Sequence, residues 1–263
     1  MKSIKFLEEH GVNVKKSLEL FGDSNTYNET IGEFLVEIHK KINELIKFLN
    51  KKDMTNYSIY VHSLKSDAKY FGFDDLAQVA YEHEQKSKNG DFSFVTSHIN
   101  DLINETNKAI ILIKEYMNGT DLEISEKEND SLKFSRDTIL VVDDSNIIRN
   151  FVKRIFSEEY NVGVAKDGEE ALNIIKANKN NGKIVTILLD LNMPKVDGFA
   201  VLDYMKKNDL FEIIPTSIIS GDSSKETIDR AFTYNIVDML SKPFNEKSIK
   251  SIILKTISRR DLI

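Results

Sequence analysis

Apolar positions change their spacing about halfway along the chain. Between residues 24 and 117 they recur at helical intervals, as in Phe34, Leu35, Ile38, Ile42, Leu45 and Leu49. Ser24 reads as the N-cap of that first long helix. Further helices are predicted over 54–71, 74–88 and 93–117, stopped by Gly72, Asn89-Gly90 and Asn118-Gly119, with a short helix over 12–21 leading in. No proline interrupts this region. Several long amphipathic helices with short connections predict an all-α, antiparallel four-helix bundle over 1–118.

Residues 119–136 (GTDLEISEKENDSLKFSR) lose the periodicity, turn polar and read as a linker. From 137 to 263 the pattern differs. Ile139–Val142, Val162–Ala165, Ile184–Leu189, Ile214–Ile219 and Ile236–Leu240 are short apolar runs rich in β-branched residues. Helical periodicity lies between them, as in Ile147–Ile155, Ala171–Ile175 and Ile228–Phe232. Five βα units predict an α/β domain with a five-stranded parallel sheet covered on both faces.

Composition narrows the chemistry. The chain has 263 residues, 41% hydrophobic and 30% charged, enough to build two cores. It has no cysteine, which removes disulfides, thiolate zinc sites and cysteine nucleophiles together. Net charge is −6, with 15 basic against 18 acidic residues up to position 120 and 21 against 24 beyond it. Neither half is basic, so no nucleic-acid partner is expected. MKSIKFLEEHG lacks the apolar core of a signal peptide and no apolar run reaches about 18 residues, so no membrane association and a cytoplasmic location are expected. The sequence leaves the oligomeric state open, with a monomer slightly favoured.

In open parallel sheets, ligands sit at the carboxyl ends of the strands. The residues after the apolar runs are Asp143 and Asp144, Asp190, Ser220, and Ser241-Lys242-Pro243. Three carboxylates, a hydroxyl and a lysine are therefore expected at one edge. Clustered carboxylates repel unless a hard cation joins them, and oxygen donors suit Mg²⁺. A carboxylate can also be a nucleophile toward phosphorus.

The motifs VVDDS (141–145), LLDLNMPKVDG (188–198), IISGD (218–222) and SKPF (241–244), in this order and spacing, resemble the receiver domain of two-component response regulators. The resemblance implies a flavodoxin-like sheet of order 2-1-3-4-5, with Asp190 as phospho-acceptor. It implies Mg²⁺ held by Asp143, Asp144, Asp190 and the backbone carbonyl of Asn192. Ser220 and Lys242 would bind the phosphoryl group. Two positions depart from the usual pattern: Met239 stands where many receivers carry Tyr or Phe, and Asn235-Ile236 replaces a common Gly-Ala. The first puts readout by an aromatic switch in doubt.

In the first half, His62 has the best case among the five histidines. At about 100° per residue, Ser58, Lys65, Ser66 and Lys69 share its side of the helix, while Tyr57, Tyr60, Leu64, Ala68 and Phe71 lie opposite. The ring is expected to project outward from the bundle, where a neutral imidazole is a competent nucleophile. A solvated helix face carries the same residue types without any chemistry. Asp67 is a polar residue near the apolar side that this pattern leaves without an account. His39, His83 and His98 show no metal-ligand spacing with one another, so no zinc is expected.

The segment HSLKSDAKYFG (62–72) resembles the histidine-phosphotransfer (HPt) motif: His62, Leu64, Lys65 and Gly72 match, and Ser66 replaces a frequent glycine. The resemblance implies that His62 is phosphorylated and that Lys65 assists it. No phosphate-binding glycine loop occurs, and little chain remains for a kinase or DNA-binding domain. The expectation is a non-enzymatic phosphorelay protein whose partners are a sensor histidine kinase, or other receiver or HPt proteins. The competing readings are a receiver-gated docking module with an idle His62, and a phosphatase, which would need a carboxylate or amide to orient water.

Overall fold

The computed structural model describes residues 1–117, 134 and 136–260. The chain forms two compact units, Met1–Ser125 and Glu126–Ile263.

The first unit is helical. Four long helices, α3 (Ser24–Asn50), α4 (Met54–Tyr70), α5 (Asp74–Lys88) and α6 (Phe92–Tyr116), follow two short ones, α1 (Lys5–Glu9) and α2 (Val14–Phe21). The predicted lead-in is thus α2, with α1 an addition to the sequence reading. The cap of α3 is Asp23 rather than Ser24. The Asp23 carboxylate accepts from the amides of Asn25 and Thr26, and a carboxylate at a helix N-terminus is also favoured by the dipole. The buried stripe of α3 includes Phe34, Ile38 and Leu45, and Phe34 stacks on Phe71 just past the end of α4.

α4 differs from an ordinary amphipathic helix. It packs against α2, α3 and α5, and most of its residues from Tyr57 to Tyr70 are buried, polar ones included. Asp67 is fully buried and ion-paired with Lys41 of α3, which also donates to Ser63 Oγ at 2.7 Å. A buried charge costs several kcal/mol unless paired, so Lys41 is the account the pattern lacked.

The second unit is a five-stranded parallel sheet of order β2-β1-β3-β4-β5. Its strands are β1 (Thr138–Val142), β2 (Asn161–Ala165), β3 (Ile184–Asp190), β4 (Thr216–Ser220) and β5 (Met239–Ser241). β4 starts after Pro215, which has no amide hydrogen for the ladder. β5 is three residues long, not the five of Ile236–Leu240, because only Met239–Ser241 pair with β4. The helices are α7 (Asn146–Phe156), α8 (Gly168–Asn178), α9 (Gly198–Lys207), α10 (Lys225–Ala231) and α11 (Glu246–Arg260). α7 meets α11, and α8 meets α9. Every residue of β1, β3 and β4 is buried, as a sheet covered on both faces requires.

The predicted linker 119–136 lies outside the described residues except for Phe134 and Arg136. Phe134 belongs to the second unit: its ring packs over Gly163 and its amide donates to Asn178 Oδ1 at 2.8 Å. No described helix is long and apolar enough to cross a membrane.

Candidate functional site

The strand ends of the second unit bring the predicted groups together. Asp143 and Asp144 leave β1, and Asp190 ends β3; one carboxylate oxygen from each lies within 4.8 Å of the others. Asp143 and Asp190 are buried, and Asp144 is half-buried. Lys242, just past β5, donates to Asp190 Oδ2 at 2.7 Å. Its ammonium is also 2.6 Å from Asp143 Oδ2, in a geometry that gives that oxygen no hydrogen bond. Ser220 ends β4 at the same edge, where its Oγ accepts from the amide of Asp222 and its carbonyl accepts from the amide of Lys242. The amide of Asn192 donates to Asp190 Oδ1 at 3.2 Å. Gly198 is required here by close approach: a Cβ would lie 2.2 Å from the Asp190 carbonyl oxygen.

Three carboxylates face one ammonium, and the charges show it. Burial pushes the Asp190 carboxyl up to about 6; Lys242 opposes this, and Asp143 and Asp144 add to it. Burial also raises Asp143. The Lys242 ammonium is held above its ordinary value, because the carboxylates outweigh the burial that opposes it. The excess negative charge and the all-oxygen donor set fit a hard divalent cation such as Mg²⁺.

The imidazole site of the first unit departs from expectation. His62 is 3% exposed, and Ser58, Lys65 and Ser66 are buried with it. The cause is α5, which lies along this face of α4 and contributes Glu84. His62 Nδ1 is 2.6 Å from Glu84 Oε1, Lys65 donates to Glu84 Oε2 at 2.5 Å, and Lys88 donates to Oε1 at 2.7 Å. Burial raises the Glu84 carboxyl, but its bonds to His62 and Lys65 outweigh that and hold it well below its ordinary value. An ionised carboxylate only accepts, so the Nδ1 that faces Glu84 carries a ring proton. Nε2 itself has no hydrogen-bond partner among the described residues.

Glu84 was missed in the sequence, and a signal for it exists. α4 and α5 run antiparallel about Phe73, and His62 and Glu84 are equally distant from that turn. Folding the helix pair about Gly72-Phe73 would have placed them side by side. Arg149 was missed too: from α7 it donates to the carbonyl of Asp143 at 2.5 Å and to Asn146 Oδ1 at 3.2 Å, bracing the loop that carries two of the carboxylates.

Comparison with known proteins agrees with this division. Residues 139–254 match the family model of the response regulator receiver domain, and residues 29–109 match that of the Hpt domain. The "Probable methanogenesis regulatory protein FilR2" of Methanothrix harundinacea is 28% identical over 120 residues, covering 44% of this chain and 77% of that protein. The "Probable transcriptional regulator ycf27" of Porphyridium aerugineum is 34% identical over 127 residues; the match covers 48% of this chain but only 50% of that protein's length. Among solved structures, the receiver domain of Francisella response regulator 1452 is similar at 30% identity and a TM-score of 0.42, covering 49% of this chain and 100% of that one.

Proposed function

We propose that this chain, which joins an Hpt domain to a response regulator receiver domain, is a phosphorelay carrier that takes phosphoryl groups on Asp190 and on His62. The single observation that carries the reading is the convergence of Asp143, Asp144, Asp190 and Lys242 at the carboxyl edge of a parallel sheet. Phosphohistidine on a partner kinase or HPt protein is the donor class for Asp190.

At the receiver, an Asp190 carboxylate oxygen forms the new P–O bond as the P–N bond of the donor breaks, and the electron pair returns to the imidazole nitrogen. Lys242 lies against Asp190 and supplies positive charge to the acceptor. Ser220 offers a hydroxyl from the neighbouring strand end. Asp143, Asp144, Asp190 and the Asn192 carbonyl would hold Mg²⁺, which when bound supplies positive charge to the phosphoryl oxygens. Arg149 keeps the Asp143–Asp144 loop in register with β3.

At the bundle, Glu84 holds the Nδ1 proton, leaving the Nε2 lone pair as nucleophile toward an aspartyl phosphate. Lys65, bonded to the other oxygen of Glu84, steadies that carboxylate and adds positive charge beside the ring. Transfer at His62 requires Nε2 to be uncovered.

That requirement favours a second reading. With His62 buried, the bundle would be a docking module whose histidine is idle, and phosphorylation of Asp190 alone would carry the signal.

Labelling separates the two. The full chain with Mg²⁺ is treated with phosphoramidate, and phosphate on each site is read by mass spectrometry and by acid lability. The relay reading expects acid-labile phosphate lost in His62→Gln and acyl phosphate lost in Asp190→Asn. Acyl phosphate without any phosphohistidine supports the docking module, and absence of acyl phosphate overturns both.

A further inference from the structure

The loop after β3, residues 191–197, is tied to α8 by contacts that the phosphoryl chemistry above does not use. Lys195 has φ +64°, a left-handed conformation that is costly for a residue with a Cβ and persists only where its surroundings hold it. Its ammonium meets Asp167 Oδ2 at 2.6 Å and lies 3.9 Å from Glu169. Asp167 is buried, and its other oxygen caps α8 by accepting from the amide of Glu170 at 2.9 Å. One carboxylate therefore serves both the start of α8 and the β3–α9 loop. Next to it, Gly168 donates its amide to the Val196 carbonyl at 3.0 Å. A Cβ on Gly168 would lie 2.4 Å from that oxygen, so the two backbones are in direct contact.

The cap does not need Lys195, and Lys195 is more than half exposed, so the pair is not a requirement of the core. Both tethers sit three and four residues beyond Asn192 and leave that short loop little freedom.

We propose that the Lys195–Asp167 pair is a positioning device for the Mg²⁺ site. It holds the β3–α9 loop against α8 so that the Asn192 carbonyl stays where it can join Asp143, Asp144 and Asp190. The inference rests on the Mg²⁺ reading above. Neither residue is a ligand; both act through the loop.

The two charges make the test decisive. Removing a positive charge near the site by Lys195→Met strengthens Mg²⁺ binding if only electrostatics matter, whereas Asp167→Asn weakens it. If the pair acts by position, both weaken it. Asp167→Asn keeps an oxygen to cap α8, and Lys195→Arg keeps the ion pair. Mg²⁺ is titrated calorimetrically into the full chain, with the Asn192 amide shift as a local readout.

The expected result is a three- to tenfold rise in Kd for Lys195→Met and for Asp167→Asn, no further rise in the double variant, and near-normal affinity for Lys195→Arg. Opposite shifts in the two single variants, or no shift in either, overturn the inference while leaving the Mg²⁺ reading intact. Failure of the unaltered chain to bind Mg²⁺ overturns both. Should Lys195→Met unfold, Lys195→Gly relaxes the positive φ while removing the pair, and the same rise in Kd is expected.

Discussion

Asp190→Asn should change how the stability of the receiver depends on pH. In the native state the Asp190 carboxyl is pushed up to about 6, chiefly by burial, against an ordinary value of 3.8. The native state therefore binds the proton more tightly than the unfolded chain does. The resulting stability is fully present below about pH 4 and is lost as pH rises through 6. A shift of about two units corresponds to about 3 kcal/mol. Asp190 is 1% exposed, so solvent screens this little. Asparagine cannot ionise and removes that slope. Relative to the unaltered chain in EDTA, the variant should gain roughly 2 kcal/mol between pH 4 and pH 7, whatever the constant offset from losing the Lys242 contact. Hydrogen exchange of the β1 and β3 segments across that range measures it, because those buried strands report unfolding of their own unit. Saturating Mg²⁺ should shrink the difference by stabilising the ionised carboxylates of the unaltered chain. Parallel profiles for the two proteins between pH 4 and pH 7 would refute the reasoning.

Three further outcomes follow from the geometry. Lys41→Met and Asp67→Asn should each destabilise the bundle by about 3–5 kcal/mol, because each removes the opposite charge from a buried ion pair, and an apolar replacement of both should cost less than either alone; urea unfolding followed by circular dichroism reads this, and additive losses would refute the pairing. Met239 already packs against the receiver core and has no ring to rotate, so beryllofluoride should leave its methyl signal nearly in place, and a large displacement into the core would contradict this. Fragments spanning 1–118 and 135–263 should each fold, since each unit buries its own core; a non-cooperative thermal transition in either would show that they depend on one another.

Much of this molecule is legible in one dimension. Gly72 and Asn89-Gly90 mark the limits of α5 at Asp74 and Lys88, and four of the five apolar runs fall within about two residues of the observed strands, because helical and strand periods are local signals. The acidic site was legible for a topological reason. A parallel sheet carries all its strand ends to one edge, so the residues after the apolar runs had to meet. The lysine that balances them follows from the same rule.

Only the tertiary structure decided which polar groups are covered. The wheel of α4 placed His62 on a polar side, correctly, but polarity implies exposure only when nothing packs there. α5 does, and Glu84 matches the charge of that face instead of leaving it to water. Asp67 is the same case on the α3 side, with Lys41 as its partner from 26 residues away. Such pairs leave no period in the sequence, because a buried charge is satisfied by whichever helix the fold brings against it. Residue pattern therefore determines the elements and the edge where chemistry gathers, while burial and pairing are properties of the packed neighbours.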